Sequence, residues 1–181
     1  MKLDVLVFAA HPDDAELNIG GTICALIKQN LKVGVIDLTK GEMGTRGTVE
    51  TRKKEAHNAS VALGLHYRKN LDLGDSKLDN TRANQLKIIT EVRNSQPDVC
   101  ITGAPHDRHP DHGKATQLVL DSLFYSGLQK IDSGGQQPWR PEHILHYMQD
   151  RPFEPDFVFD ISETWEQKKK SLLAFETQFN V

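Results

Sequence analysis

Two short segments hold residue types that can bind a metal and move a proton. The first is AHPDDAE, Ala10 to Glu16; the second is PHDRHPDH, Pro105 to His112. Each carries His-Pro-Asp where an apolar run gives way to a helical pattern. Histidine and carboxylate ligands suit zinc or another borderline divalent ion. Two histidines and one carboxylate leave a coordination position open for water, whose pKa then falls to roughly 7. The adjacent pair Asp13 and Asp14 offers both a ligand and a general base for that water. A further histidine can stabilise the oxyanion or protonate a leaving amine. Spacing alone leaves open which of His106, His109 and His112 is the ligand. Proline and acidic residues are also ordinary helix-start chemistry, which accounts for either segment alone. It accounts poorly for both together.

The elements that must bring the segments together are legible from periodicity. Leu3 to Ala10 and Lys32 to Leu38 are near-continuous apolar runs, as in strands covered on both faces. Short strands are expected at Asn70 to Leu73 and at Asp98 to Thr102. Helices are expected at Leu17 to Gln29, Glu50 to Leu63, Arg82 to Asn94 and about His112 to Tyr125. Two late strands, His143 to Met148 and Asp156 to Ile161, precede a last helix over Glu163 to Phe175, with Ser162 as its cap. This alternation predicts an α/β fold, a Rossmann-like three-layer sandwich with a mostly parallel sheet. In the usual 3-2-1-4 strand order the two segments face each other across the crevice beyond the strand ends, where ligands of such sheets bind.

The chain has 181 residues and a formal net charge of −3, which suits one domain, 1–181, with no large basic face for nucleic acid. Its apolar N-terminal run is too short to span a membrane, so no membrane partner and a cytoplasmic location are expected. Cys24 and Cys100 read as buried small hydrophobes. Gly20-Gly21 lacks the spacing of a dinucleotide fingerprint and reads as close packing or room near the metal. His57 and His66 read as surface positions, and Trp139 and Trp165 as packing residues. His143 and His146, three apart on a strand, point to opposite faces and cannot serve one metal together.

The two motifs resemble the signature pair of the LmbE-like (PIG-L) zinc deacetylases. The resemblance extends through Thr39 to Ala56, QPWRPE, YMQDR and the terminal AFETQF. Within the family the chain is similar to the bacillithiol-biosynthesis deacetylases that act on N-acetylglucosaminyl malate. The resemblance implies His11, Asp14 and His112 as ligands of Zn2+, with Fe2+ as an alternative ion. It implies Asp13 as the base, His109 as the electrostatic or acid residue, and Asp111 as the residue orienting it. It implies that Arg52 reaches the substrate; taken alone, a single arginine near a helix start reads as solvated or ion-paired. Arg46 and Arg108 lie in loops expected at the same sheet end, and arginine suits the two carboxylates of malate. The partner implied is a small amino sugar, and the assembly a homo-oligomer, a hexamer being one form. Family members usually continue several dozen residues past the position of Val181, so the C-terminal part of the family fold is expected to be missing. Two readings compete: deacetylation of another N-acetyl sugar, and a non-enzymatic α/β module binding a sugar or nucleotide.

Overall fold

A computed structural model describes residues 1–179. Five parallel strands form one sheet: β1 (Val5–Ala9), β2 (Val33–Asp37), β3 (Tyr67–Asn70), β4 (Val99–Gly103) and β5 (His143–Tyr147). Their order is β3-β2-β1-β4-β5, so β1 lies between β2 and β4. The helices are α1 (Asp14–Lys28), α2 (Val49–Leu63), α3 (Arg82–Ser95), α4 (Pro110–Ser126), α5 (Trp165–Leu173) and the short α6 (Glu176–Phe179). Helices α1, α2 and α5 pack together, and α3 pairs with α4. They cover opposite sheet faces. One core joins Phe8, Ile36 and Cys100 to Ile88, Val92 and Leu118; the other joins Val7, Val35 and Ile101 to Ile23, Cys24 and Leu63. The central strands β1 and β2, and β4 nearly so, are buried along their length because helices cover both faces there, whereas the edge strands β3 and β5 are partly exposed and carry polar residues. No helix among the described residues is long and apolar enough to cross a membrane.

Several expectations shift. Helix α1 begins at Asp14 rather than Leu17, which draws Asp14 into its first turn. The third strand is Tyr67–Asn70 rather than Asn70 to Leu73; Leu71 and Leu73 still pack into the core from the loop beyond. The expected parallel α/β sheet is present, with every strand pairing parallel. The strand expected at Asp156 to Ile161 is not formed among the described residues. Its Phe157-Val158-Phe159 run has no ladder neighbour, and Asp160 bends the chain by accepting the N–H and hydroxyl of Ser162. Ser162 therefore caps nothing. A 3-10 turn, Ser162–Thr164, leads into α5, which stops at Leu173, and Phe175 turns in to pack against Ala56 and Ala59.

Both cysteines are buried. Trp139 packs on the core and donates its ring N–H to Pro97 O at 2.8 Å. Trp165, expected as a packing residue, is 52% exposed at the first position of α5. His57 and His66 are exposed. Gly21 is a close-packing position: a Cβ there would come within 2.7 Å of the Ile161 side chain.

Candidate metal centre

The two His-Pro-Asp segments meet at the carboxyl ends of β1 and β4. The chain leaves β1 at Ala10 and turns sharply before α1. Asp13 sits in that turn at φ 118°, a backbone region that side-chain-bearing residues rarely adopt. Such strain costs about 1–3 kcal/mol and persists where surrounding contacts impose it. Here the His11 N–H donates to Asp14 Oδ2 at 2.9 Å, and Arg52 Nη1 donates to Pro12 O at 2.8 Å. The second segment leaves β4 and enters α4 with Pro110 in the first turn, where its missing N–H costs nothing. His109 is the N-cap residue, and its Nδ1 accepts the N–H of Asp111 at 3.2 Å.

His11, Asp14 and His112 converge, with one ligand atom from each within 4.8 Å of the others. His11 Nδ1 lies 3.5 Å from Asp14 Oδ2, and His112 Nε2 lies 3.4 Å from Asp14 Oδ1. This donor set fits a borderline divalent ion with an open position. The outward nitrogens face carboxylates, as metal-binding histidines require. His11 Nε2 is 3.1 Å from Asp75 Oδ1, and His112 Nδ1 pairs closely with Asp107 Oδ2.

The electrostatics match such a cluster. Burial disfavours the charged imidazole of His11, but the hydrogen bond and charge of Asp14, with Asp75 and Asp111, outweigh it and push the pKa up to about 9. His112 is shifted up in the same way, burial being outweighed by Asp14 and Asp107. Burial would raise Asp14, yet the two histidines hold it well below the usual carboxylate range. Burial and the charge of Asp14 push Asp13 up to about 7, with Arg52 pulling it back. His109 is shifted down by burial and by its neighbours His11 and His112, against a weaker pull from Asp111.

A cavity of about 480 Å³ opens over the cluster. His11, Asp13, Asp14, His109 and His112 line it, with Asn18, Arg52, Arg108 and Gln149 around them. Arg52 is buried at 6% exposure, and its guanidinium reaches both Pro12 O and Asp13 Oδ2, the latter at 3.3 Å. Arg108 is exposed on the rim and pairs with Asp150 at 3.0 Å. Arg46 and His106 are exposed and do not line the cavity. Asp111 reaches His109 through its main-chain N–H; its carboxylate accepts Ser76 N–H at 2.7 Å and lies 3.6 Å from His11 Nε2. Glu42 holds the Asp75 N–H at 2.8 Å.

Three neighbours escaped the sequence reading: Asp75, Asp107 and Gln149, whose Nε2 lies 3.4 Å from His112 Nε2. Asp107 stood inside the second motif and could have been found there. Asp75 carried only the weak signal of following a strand at the same sheet end.

Residues 6–123 match the PIG-L family, described as GlcNAc-PI de-N-acetylase. The chain is 30% identical to a diacetylchitobiose deacetylase of Thermococcus kodakarensis, over 97% of this chain and 70% of that protein. It is 31% identical to a probable N-acetyl-alpha-D-glucosaminyl L-malate deacetylase 2 of Bacillus cereus, over 98% of this chain and 84% of that protein. The solved structure of a conserved protein from Thermus thermophilus superposes with a TM-score of 0.93 at 39% identity, covering 98% of this chain and 80% of that one. The chain belongs to the PIG-L family of de-N-acetylases. As such it is an amide hydrolase, and its histidine–aspartate cluster is a group that could hold a metal ion.

Proposed function

We propose that the chain removes the acetyl group from an N-acetylglucosaminide, with zinc held by His11, Asp14 and His112. N-Acetyl-α-D-glucosaminyl L-malate is the substrate put first. The observation that carries the reading is the convergence of two histidines and a carboxylate beneath a cavity, with a spare carboxylate, Asp13, beside them. The Bacillus cereus relative supports the malate glycoside, and the Thermococcus relative supports amino-sugar deacetylation more broadly.

When bound, zinc supplies a Lewis acid that polarises the acetyl carbonyl and eases deprotonation of water. Asp13 takes the proton of the attacking water; its pKa near 7 suits a base working at neutral pH. The proton it then holds is available to the leaving amine. His109 accepts a main-chain N–H at Nδ1, so its neutral form carries hydrogen on Nε2 and can donate to the developing oxyanion. The Asp111 amide fixes that tautomer. Arg52 sits behind Asp13 and aims its carboxylate. Arg108, exposed on the rim, is the arginine placed to meet a substrate carboxylate; Arg46 would have to move to do so. The homo-oligomer rests on the resemblance, the reading of residues 1–181 as one domain on chain length, and the cytoplasmic location on the shortness of the N-terminal apolar run.

The test is release of free amine by the zinc-loaded chain from N-acetylglucosaminyl malate, diacetylchitobiose and N-acetylglucosamine. Preference for the malate glycoside, reduced by Arg108→Ala through KM, supports the substrate named. Preference for diacetylchitobiose keeps the chemistry and replaces the substrate. No amine from any of them contradicts the reading.

A further inference from the structure

Asp75 and Asp107 each divide their carboxylate between a histidine of the centre and a main-chain amide of the cavity rim. Asp75 Oδ1 lies 3.1 Å from His11 Nε2, while its Oδ2 accepts the N–H of Met43 at 2.9 Å. Asp107 Oδ2 pairs with His112 Nδ1, while its Oδ1 accepts the N–H of Arg151 at 3.0 Å. Both amides belong to rim segments: Met43 and Gly44 line the cavity on one side, Gln149 and Asp150 on the other. On the Met43 side the tie is reciprocal, because the Asp75 N–H donates to Glu42 Oε1 at 2.8 Å.

A histidine that binds a metal through one nitrogen must present hydrogen at the other, and the acceptor there sets the ring's tautomer and direction. His11 turns Nδ1 and His112 turns Nε2 toward Asp14, so the outward nitrogens are those held by Asp75 and Asp107. A carboxylate is planar and rigid. Fixing one oxygen on an ordered histidine fixes the other against its rim amide. The geometry points to Asp75 and Asp107 as positioning residues that couple metal loading to the order of two rim segments, 41–44 and 149–151. The substrate then meets a formed rim only on a loaded centre. This rests on the metal centre proposed above and adds a link to the rim.

Hydrogen exchange at the Met43 and Arg151 amides tests it, in the full chain stripped of metal and loaded with zinc. In the wild-type chain zinc slows both amides, by about tenfold or more, as for a segment stabilised against local opening. Asp75→Asn keeps an oxygen for His11 but offers an NH2 group to the Met43 amide, which cannot accept from it. Zinc then leaves Met43 fast and still slows Arg151. Asp107→Asn gives the reverse. Zinc affinity by chelator competition falls about 10–100-fold in each variant. Should a variant not fold, the wild-type comparison decides alone. Zinc uptake with unchanged exchange at both wild-type amides overturns the coupling and leaves the metal centre standing. So does equal slowing of Met43 in Asp75→Asn. A wild-type chain that takes up no zinc overturns both.

Discussion

Arg52 holds Asp13 from behind the cavity: its Nη1 lies 3.3 Å from Asp13 Oδ2 and donates to Pro12 O at 2.8 Å. The same guanidinium therefore braces the strained turn and aims the carboxylate it carries. Arg52→Ala should lower kcat more than it raises KM, because the loss falls on the base rather than on substrate binding. Steady-state kinetics on an amino-sugar substrate checks this. A rise in KM with kcat unchanged would make Arg52 a substrate contact alone.

The φ of 118° at Asp13 sets stability against activity. Glycine adopts that backbone without the clash of a Cβ. Asp13→Gly should leave the Tm of the metal-free chain unchanged or raise it, with relief of about 1 kcal/mol. Turnover should fall by about 10²–10⁴-fold, the usual contribution of a general base. Thermal unfolding and amine release measured together check both halves. A clear drop in Tm would mean that the Arg52 contact outweighs the strain.

His109 is shifted below the ordinary histidine value by burial and by the two neighbouring histidines. It is therefore neutral through the range above pH 7 and works as an Nε2–H donor. His109→Ala should lower kcat, yet the alkaline side of the kcat profile should keep its shape in the variant. An alkaline limb present in the wild type and lost in His109→Ala would show that the imidazolium is the working form.

Metal affinity should climb with pH. His11 binds its proton up to about pH 9 in the metal-free chain, and a metal must displace that proton to use the nitrogen. One displaced proton raises apparent zinc affinity about tenfold per pH unit between pH 6 and 8, and His112, also shifted up, steepens the rise. The sign is opposite for the metal-free fold. The stability that protonated His11 contributes is fully present below pH 6.5 and is lost as the pH passes about 9. Chelator competition at several pH values checks the first statement, and a flat profile would contradict it.

Much of this architecture was legible in the residues. Val5–Ala9 and Val33–Asp37 announce themselves because strands buried on both faces need unbroken apolar runs. Placing β1 beside β4 then brings AHPDDAE and PHDRHPDH to one sheet end. What escaped depends on contacts between distant segments. Asp75 meets His11 only because the loop after β3 folds over the strand ends. Phe157-Val158-Phe159 reads as a strand, but a strand needs a neighbour, and residue type says nothing about one. No local pattern marks the left-handed turn at Asp13. Nor does any show Arg52 turning inward to it, although both govern the base.

One titration tests the metal centre most directly: amine released from an N-acetylglucosaminide by the metal-stripped chain as zinc is added back. Turnover should start near zero, rise in proportion to zinc and level off at one equivalent per chain, as a single three-residue centre requires. Undiminished turnover in the stripped chain would place the reaction outside the His11–Asp14–His112 cluster and contradict the proposed function.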